Sequence, residues 1–409
     1  MTINIDDIYN RIREANNVLN GVIHRTPLNS SYTFSKLTGG DIYLKLENLQ
    51  KVGAFKVRGA YYKLWKEKAK GISKCVTASS GNHAQGVAYS ASQLGIKALV
   101  YMPKYTPIYK VEATKSYGAE VILYGESYDD AYQEAMKLSR ERRIPFIHPF
   151  DDLDVIAGQG TIGIEVCSSL KDIDLVLVPV GGGGLISGIS IALRKLSPKT
   201  KIIGVQPVGA SAMYKSIKTG RLVQLDKVFT IADGVVVKKP GEITFKIIRE
   251  YVDDIVTVDD GDIARAIFLL MERAKLVVEP AGALSIAAML SNAVDVHGKR
   301  VVAIISGGNI DLFLLSEIIN RGLLLENRHV RIRGVLPDKP GQLKRVVDVI
   351  AEMNLNIVSI EHERTNPLVN PGLAIVTLEI EVPNMATVKE MINKLYKKGL
   401  NFKIVPPGE

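Results

Sequence analysis

Leu175-Val176-Leu177-Val178-Pro179-Val180-Gly181-Gly182-Gly183-Gly184-Leu185 runs an unbroken apolar strand pattern into four glycines and then into a helical pattern that reaches Leu196. A strand apolar along its whole length, with no polar alternation, is one buried on both faces, as in a parallel sheet covered by helices. Residues Leu175 to Leu193 carry no charge, yet Pro179 and the glycines exclude a single membrane-spanning helix. Four glycines exceed what a tight strand-to-helix turn needs. Without side chains their N–H groups can converge on an anion, and the helix that follows adds its partial positive charge. A phosphate suits that place. No Lys-Ser/Thr follows, so the run is not a P-loop, and Ser187 stands where a dinucleotide fingerprint has its third glycine.

Outward from this run the same alternation repeats. Lys74 to Ala78 reads as a strand, followed by a helix through Gln85 and Leu94; Ala98 to Met102 is the next strand, then a helix over Val111 to Tyr117, then Glu120 to Tyr124. Lys201 to Val205 and Val301 to Ile305 are further strands. The pattern predicts a doubly wound α/β architecture, in which ligands sit beyond the C-terminal ends of the strands. Near residue 328 it changes. His329 to Leu336 is a strand, and Leu343, Val346, Val347 and Ile350 line one helix face. A turn-rich stretch begins at Asn356 to His362, and in Leu373 to Val382 apolar residues alternate with Thr377, Glu379 and Glu381. A helix through Val388 and Leu395 and a strand from Phe402 to Val405 complete a ferredoxin-like βαββαβ unit.

Composition sets the class. Hydrophobic residues make up 46% and charged residues 23%, which is globular. The net charge of +9 is dispersed, as in Lys344-Arg345 followed by Asp348 and Glu352, so nucleic acid is not an expected partner. Cys75 and Cys167 sit among apolar residues, and the N-terminus mixes Asp6, Asp7, Arg11 and Arg13 with isoleucines. Neither feature suits a secreted scaffold or a signal peptide, and a cytoplasmic enzyme with no membrane partner is expected. The histidines (His24, His83, His148, His297, His329, His362) have no ligand spacing, and no metal is expected.

Three further segments carry chemistry. In Gly53-Ala54-Phe55-Lys56-Val57-Arg58-Gly59-Ala60, Lys56 follows an aromatic and precedes a helical run. Desolvation there would lower its pKa and make it a Schiff-base nucleophile, although a lone lysine is more often a surface charge. Ala78-Ser79-Ser80-Gly81-Asn82-His83-Ala84-Gln85-Gly86 lies between strand and helix, where small polar residues suit a carboxylate seat. Ser80 and Asn82 would equally serve as helix caps, and His83 as a structural hydrogen bonder. Ser306-Gly307-Gly308-Asn309 follows the strand ending at Ile305, and by itself is only a turn.

Taken together and in this order, these segments and Lys45-Leu46-Glu47-Asn48-Leu49-Gln50 resemble the threonine dehydratase branch of the fold-type II pyridoxal-phosphate enzymes, over residues 1 to 325. The resemblance implies two doubly wound subdomains, the smaller at roughly residues 50–150 and inserted in the larger. It assigns Lys56 to the cofactor Schiff base and to the base at the substrate Cα, and Phe55 to packing beside the ring. Gly181, Gly182, Gly183, Gly184 and Leu185 would hold the cofactor phosphate, Asn82 the ring hydroxyl and Ser306 the pyridine nitrogen. Ser79, Ser80, Gly81, Asn82 and His83 would hold the substrate carboxylate, and Glu279 lies in a family motif near the ring. The implied reaction is dehydration and deamination of L-threonine, and of L-serine, to a 2-oxo acid and ammonia. Because a serine hydroxyl leaves a pyridine nitrogen essentially unprotonated, elimination is favoured over transamination.

Residues 329–409 resemble an ACT domain, with Leu336-Pro337-Asp338-Lys339-Pro340-Gly341-Gln342-Leu343 as its hallmark, implying an amino-acid effector and a homodimer or homotetramer. There are two departures from the pattern. Related racemases use acidic residues for a divalent ion where Gln206 and Ala212 stand. Ser80 matches the second acid/base of serine racemases, so a racemase with dehydratase side activity is one alternative. A non-catalytic amino-acid sensor is another. A β-replacing synthase fits less well, since its lysine usually precedes Asp-Arg and here Val57-Arg58 follows.

Overall fold

The computed structural model describes residues 4–405 other than 366 and 368, and its strands form three sheets. After β1 (Leu28–Ser30) and β2 (Asp41–Leu46), the strands β3 (Lys74–Ala78), β4 (Lys97–Met102) and β5 (Glu120–Leu123) make a parallel three-stranded sheet. β6 (Leu175–Pro179), β7 (Lys201–Pro207), β8 (Asp254–Val258) and β9 (Arg300–Ile305) join the first two in a six-stranded sheet of order β1-β2-β9-β6-β7-β8. Its pairings are parallel except for β1 with β2, which is antiparallel. The expected parallel sheet therefore carries one antiparallel edge strand of three residues.

Period-two burial explains why both sheets are covered on both faces. In the large sheet Val176, Val178, Ile202, Ile255, Val302 and Ile304 pack against Ile162 and Val166 of the helix Leu153–Ser169 and Ile186 and Ile189 of the helix Gly184–Leu196. The alternate residues Leu175, Leu177, Val301 and Ala303 are also buried, and the helix Pro280–Leu290 packs on β6 and β9. In the small sheet Cys75, Ala98, Val100 and Met102 belong with the helices Lys56–Ala69 and Asn82–Leu94. Val76, Ala78 and Tyr101 meet Ala131 and Ala135 of the helix Tyr128–Arg142 instead. The doubly wound reading holds for both sheets.

The last four strands, β10 (His329–Pro337), β11 (Ile357–Glu363), β12 (Leu373–Glu381) and β13 (Phe402–Val405), form an antiparallel sheet of order β11-β12-β10-β13. Ile332 pairs with Leu378, and both meet Val346 and Ile350 of the helix Gln342–Glu352 and Val388 and Leu395 of the helix Met385–Lys397. This is the βαββαβ unit. Its strand β11 is exposed along nearly its whole length at the sheet edge, which is why its sequence reads as turn-rich.

The chain divides into two compact units, Met1–Asp311 and Leu312–Glu409, so the 14-residue helix Leu312–Leu325 goes with the second unit, ahead of the change in sequence pattern. Among the described residues no helix is long and apolar enough to cross a membrane. The charge-free run from Leu175 is β6, the glycine turn and most of the helix Gly184–Leu196.

Candidate active site

Lys56 is the first residue of the helix Lys56–Ala69 and follows a turn in which Gly53 has φ +70°. That turn is stitched to the end of β9. Ala54 bridges to Gly307, and the Phe55 N–H donates to the Ser306 carbonyl at 3.1 Å. The Lys56 Nζ donates to the Pro149 carbonyl at 2.9 Å and sits 5.1 Å from the centre of the Phe55 ring. Burial pushes the ammonium pKa down to about 8, against the pull of the Glu279 carboxylate, which raises it. Gly86 lets the helix Asn82–Leu94 approach: a Cβ there would lie 3.2 Å from the Lys56 backbone.

The glycine run leaves β6 and opens the helix Gly184–Leu196. Gly183 has φ +98°, and a Cβ on it would fall within 2.9 Å of Thr244 and Met213. A Cβ on Gly182 would strike the Phe150 ring at 2.4 Å, so neither glycine accepts a side chain. No side chain caps this helix, which leaves its first-turn N–H groups for an anion. In the same turn the Ser187 hydroxyl is buried without a partner. A desolvated amine, an uncapped helix start behind a side-chain-free turn and an orphaned hydroxyl together fit pyridoxal phosphate.

One segment at the site went unread in the sequence. Ile147 to Asp151 joins Lys56 to the glycine turn: the Ile147 carbonyl accepts from Thr77 Oγ1 at 2.8 Å and pairs with His83 Nε2 at 2.9 Å, Pro149 holds Lys56, and Phe150 packs on Gly182. His148 Nδ1 accepts the N–H groups of Phe150 and Asp151 at 3.2 and 2.8 Å, and burial pushes its pKa down to about 4. The Asp151 carboxylate then accepts the N–H groups of Glu242, Ile243 and Thr244 at 3.0, 2.9 and 3.1 Å, capping the helix Glu242–Tyr251. The available signal was His148-Pro149-Phe150-Asp151, a run of neither period at the close of the smaller sheet.

Of the remaining expected residues, Asn82 and the Ser306 loop meet at Glu279. Asn82 Nδ2 donates to its two carboxylate oxygens at 2.8 and 2.9 Å, and Asn82 Oδ1 accepts from Asn309 at 2.8 Å. Burial pushes the Glu279 pKa up to about 7; the Asn82 hydrogen bond opposes this, Asp233 adds to it, and Lys110 and Lys56 oppose it. A Cβ on Gly307 would come within 2.3 Å of the Glu279 carboxylate, which ties the Ser306 loop to the same spot. Ser306 itself is buried. Ser79 Oγ accepts the Gly81 N–H at 3.2 Å, and Ser80 beside it is half-buried. His83 is neutral, its pKa lowered to about 3 by burial and by Lys56, so Nε2–H donates to Ile147 and Nδ1 is left buried without a partner. Among the described residues no group of three or more His, Cys, Asp or Glu side chains is arranged to hold a metal ion.

Comparison with known proteins gives the same picture. A family model described as pyridoxal-phosphate dependent enzyme matches residues 19–307, and an ACT domain model matches residues 326–397. The L-threonine ammonia-lyase of Thermotoga maritima is 46% identical over 398 residues, covering 96% of this chain and 98% of the relative. Among solved structures, the processed form of threonine deaminase isoform 2 from Solanum lycopersicum superposes with a TM-score of 0.74 at 38% identity, covering 77% of this chain and 93% of that one. Maize serine racemase superposes with a TM-score of 0.73 at 34% identity, covering 78% and 98%.

Proposed function

The chain belongs to the pyridoxal-phosphate dependent enzyme family and ends in an ACT domain, and on that premise we propose that it converts L-threonine to 2-oxobutanoate and ammonia, and L-serine to pyruvate and ammonia. The observation that carries the reading is the buried Lys56 amine, whose pKa near 8 raises its unprotonated share at neutral pH to about a tenth, far above that of a solvated lysine. Pyridoxal phosphate, when bound, supplies an electron-withdrawing ring conjugated to the substrate amine, which weakens the Cα–H bond.

In this reading Lys56 would anchor the cofactor, and its amine would serve as the base for the substrate Cα proton. Gly181 to Leu185 would hold the phosphate, Phe55 would pack beside the ring and Asn82 would meet the ring hydroxyl. Ser306, an uncharged hydroxyl, puts no proton on a ring nitrogen, which favours loss of the β-hydroxyl over transamination. The Ser79 to His83 loop would hold the substrate carboxylate, with Glu279, whose pKa is about 7, hydrogen-bonded to Asn82 of that loop. Water leaves from Cα and Cβ, and the enamine released takes up water and gives ammonia, so the atoms balance. Residues 1–325 form the catalytic domain in this proposal, with roughly 50–150 as the smaller subdomain, and 329–409 the ACT domain. An amino-acid effector acts there. A homodimer or homotetramer is supported by the exposed edge strand β11. The two buried free cysteines support a cytoplasmic location.

The test is release of 2-oxobutanoate from L-threonine by the cofactor-loaded chain, followed by borohydride reduction and peptide mapping. Lys56 is expected to carry the reduced cofactor, and Lys56→Ala to lower turnover by about 10²–10⁴-fold. No product, or an unmodified Lys56 peptide, overturns the proposal. Ser80 and the likeness to maize serine racemase support D-serine formation as a side reaction, which Ser80→Ala should abolish while dehydration continues.

A further inference from the structure

Two carbonyls of the glycine turn are held from behind by side chains to which the proposed reaction gives no part. Gln206, wholly buried at the end of β7, donates both hydrogens of Nε2, one to the Val180 carbonyl and one to the Ala210 carbonyl, each at 3.2 Å. Its Oε1 accepts the Tyr214 N–H at 2.7 Å, which fixes the end of the amide that faces the two carbonyls. Thr244, wholly buried in the first turn of the helix Glu242–Tyr251, donates its hydroxyl to the Gly182 carbonyl at 2.7 Å. In a trans peptide the C=O of one residue and the N–H of the next point in opposite directions. Holding the Val180 and Gly182 carbonyls therefore turns the Gly181 and Gly183 N–H groups away from Gln206 and Thr244.

The Val180 and Ala210 carbonyls converge as they would on a cation, yet an amide donor stands between them. No carboxylate is supplied at these positions either, since Ala212 is a buried methyl. A cation there would face the amide hydrogens, so the residues present do not fit a divalent ion. We propose that Gln206 and Thr244 are positioning residues that set the glycine turn for the cofactor phosphate, with the Gln206 amide bridging two carbonyls in place of a divalent cation. The inference rests on reading Gly181 to Leu185 as the phosphate seat.

The experiment titrates the full chain, stripped of cofactor, with pyridoxal phosphate and separately with pyridoxal, in EDTA and then with added Mg²⁺. Affinity is read by absorbance, and the bound phosphate by its ³¹P resonance. The parent chain should bind pyridoxal phosphate equally well in EDTA and in Mg²⁺. Thr244→Val should weaken pyridoxal phosphate by about tenfold, the scale of one buried hydrogen bond, and shift the ³¹P resonance, while pyridoxal binding stays the same. Thr244→Ser, which keeps the hydroxyl, should restore both. Gln206→Glu should bind weakly in EDTA and recover in Mg²⁺, because a carboxylate facing two carbonyls needs a cation between them. A parent chain that loses affinity in EDTA overturns the proposal whether or not the variants fold. So do variants that match the parent in EDTA, or that lose pyridoxal and pyridoxal phosphate equally. A parent that binds pyridoxal as tightly as pyridoxal phosphate removes the phosphate seat itself, a separate failure.

Discussion

Lys56 and Glu279 are displaced toward each other, from ordinary pKa values of 10.5 and 4.5 to about 8 and about 7. Burial drives both shifts, because each group loses hydration in its charged form. A carboxyl whose folded pKa is raised binds its proton more tightly folded than unfolded. Its stabilising effect is therefore complete below pH 4.5 and lost as the pH rises through about 7, on a scale of about 3 kcal/mol. Glu279→Gln, neutral throughout, should flatten that decline in urea midpoints of the cofactor-free chain measured across that window. It should also push the Lys56 pKa further below 8, moving cofactor attachment to lower pH. An unchanged slope would remove the Glu279 charge from the account. At this scale the sequence was legible where chemistry needs a side chain at a strand-to-helix junction, as at Lys56 and Ser306. It was silent at Pro149, whose contribution is a backbone carbonyl that any residue could supply.

The helix that begins at Lys56 is fixed by a buried ionic network. Arg58, wholly buried, donates to the Glu47 oxygens at 2.8 and 2.8 Å and to the Glu165 oxygens at 2.6 and 3.1 Å, while Lys45 donates to Glu165 at 2.5 Å and to the Thr26 carbonyl at 2.6 Å. Two cations and two anions balance, and although burial raises the Glu47 pKa, the Arg58 guanidinium beside it brings it below the usual value. The ionic residues of Lys45-Leu46-Glu47 and Arg58 thus brace the cofactor-lysine helix and are spent on one another. Arg58→Met should cost about 3–5 kcal/mol in urea unfolding, because two buried carboxylates would share Lys45 alone. A loss under 1 kcal/mol would mean that the carboxylates find water or protonate without penalty. This network also explains why β2 was not legible as a core strand. Lysine and glutamate read as surface residues, and only the tertiary pairing makes Lys45 and Glu47 interior. At the large sheet's other edge β8 is short and half-buried, which weakens its periodicity in the same way.

Across the whole molecule, legibility followed apolar burial. β6, β7 and β9 were readable because a central parallel strand must be apolar along its length, and the C-terminal unit because one wet face imposes alternation on β12. The division between units was less sharp, since the helix Leu312–Leu325 buries only Ile318 and Gly322 and so carries little pattern of its own. Two compact units, each with its own core, make catalysis and regulation separable by truncation. A chain ending at Asp311, the end of the first unit, keeps the three- and six-stranded sheets and every residue given a part in the reaction, so it should still deaminate L-threonine. The full chain should respond to an amino-acid effector, sought by adding branched-chain amino acids in turn, with a change in threonine affinity of about 5–150-fold, the usual range of allosteric coupling. The shortened chain should show no such change. By linkage, an unreactive threonine analogue must alter effector binding to the full chain by the factor by which the effector alters binding of that analogue, which calorimetry can read without turnover. An effector that shifts both chains equally would bind in the catalytic unit, and the ACT domain would then be a purely structural module.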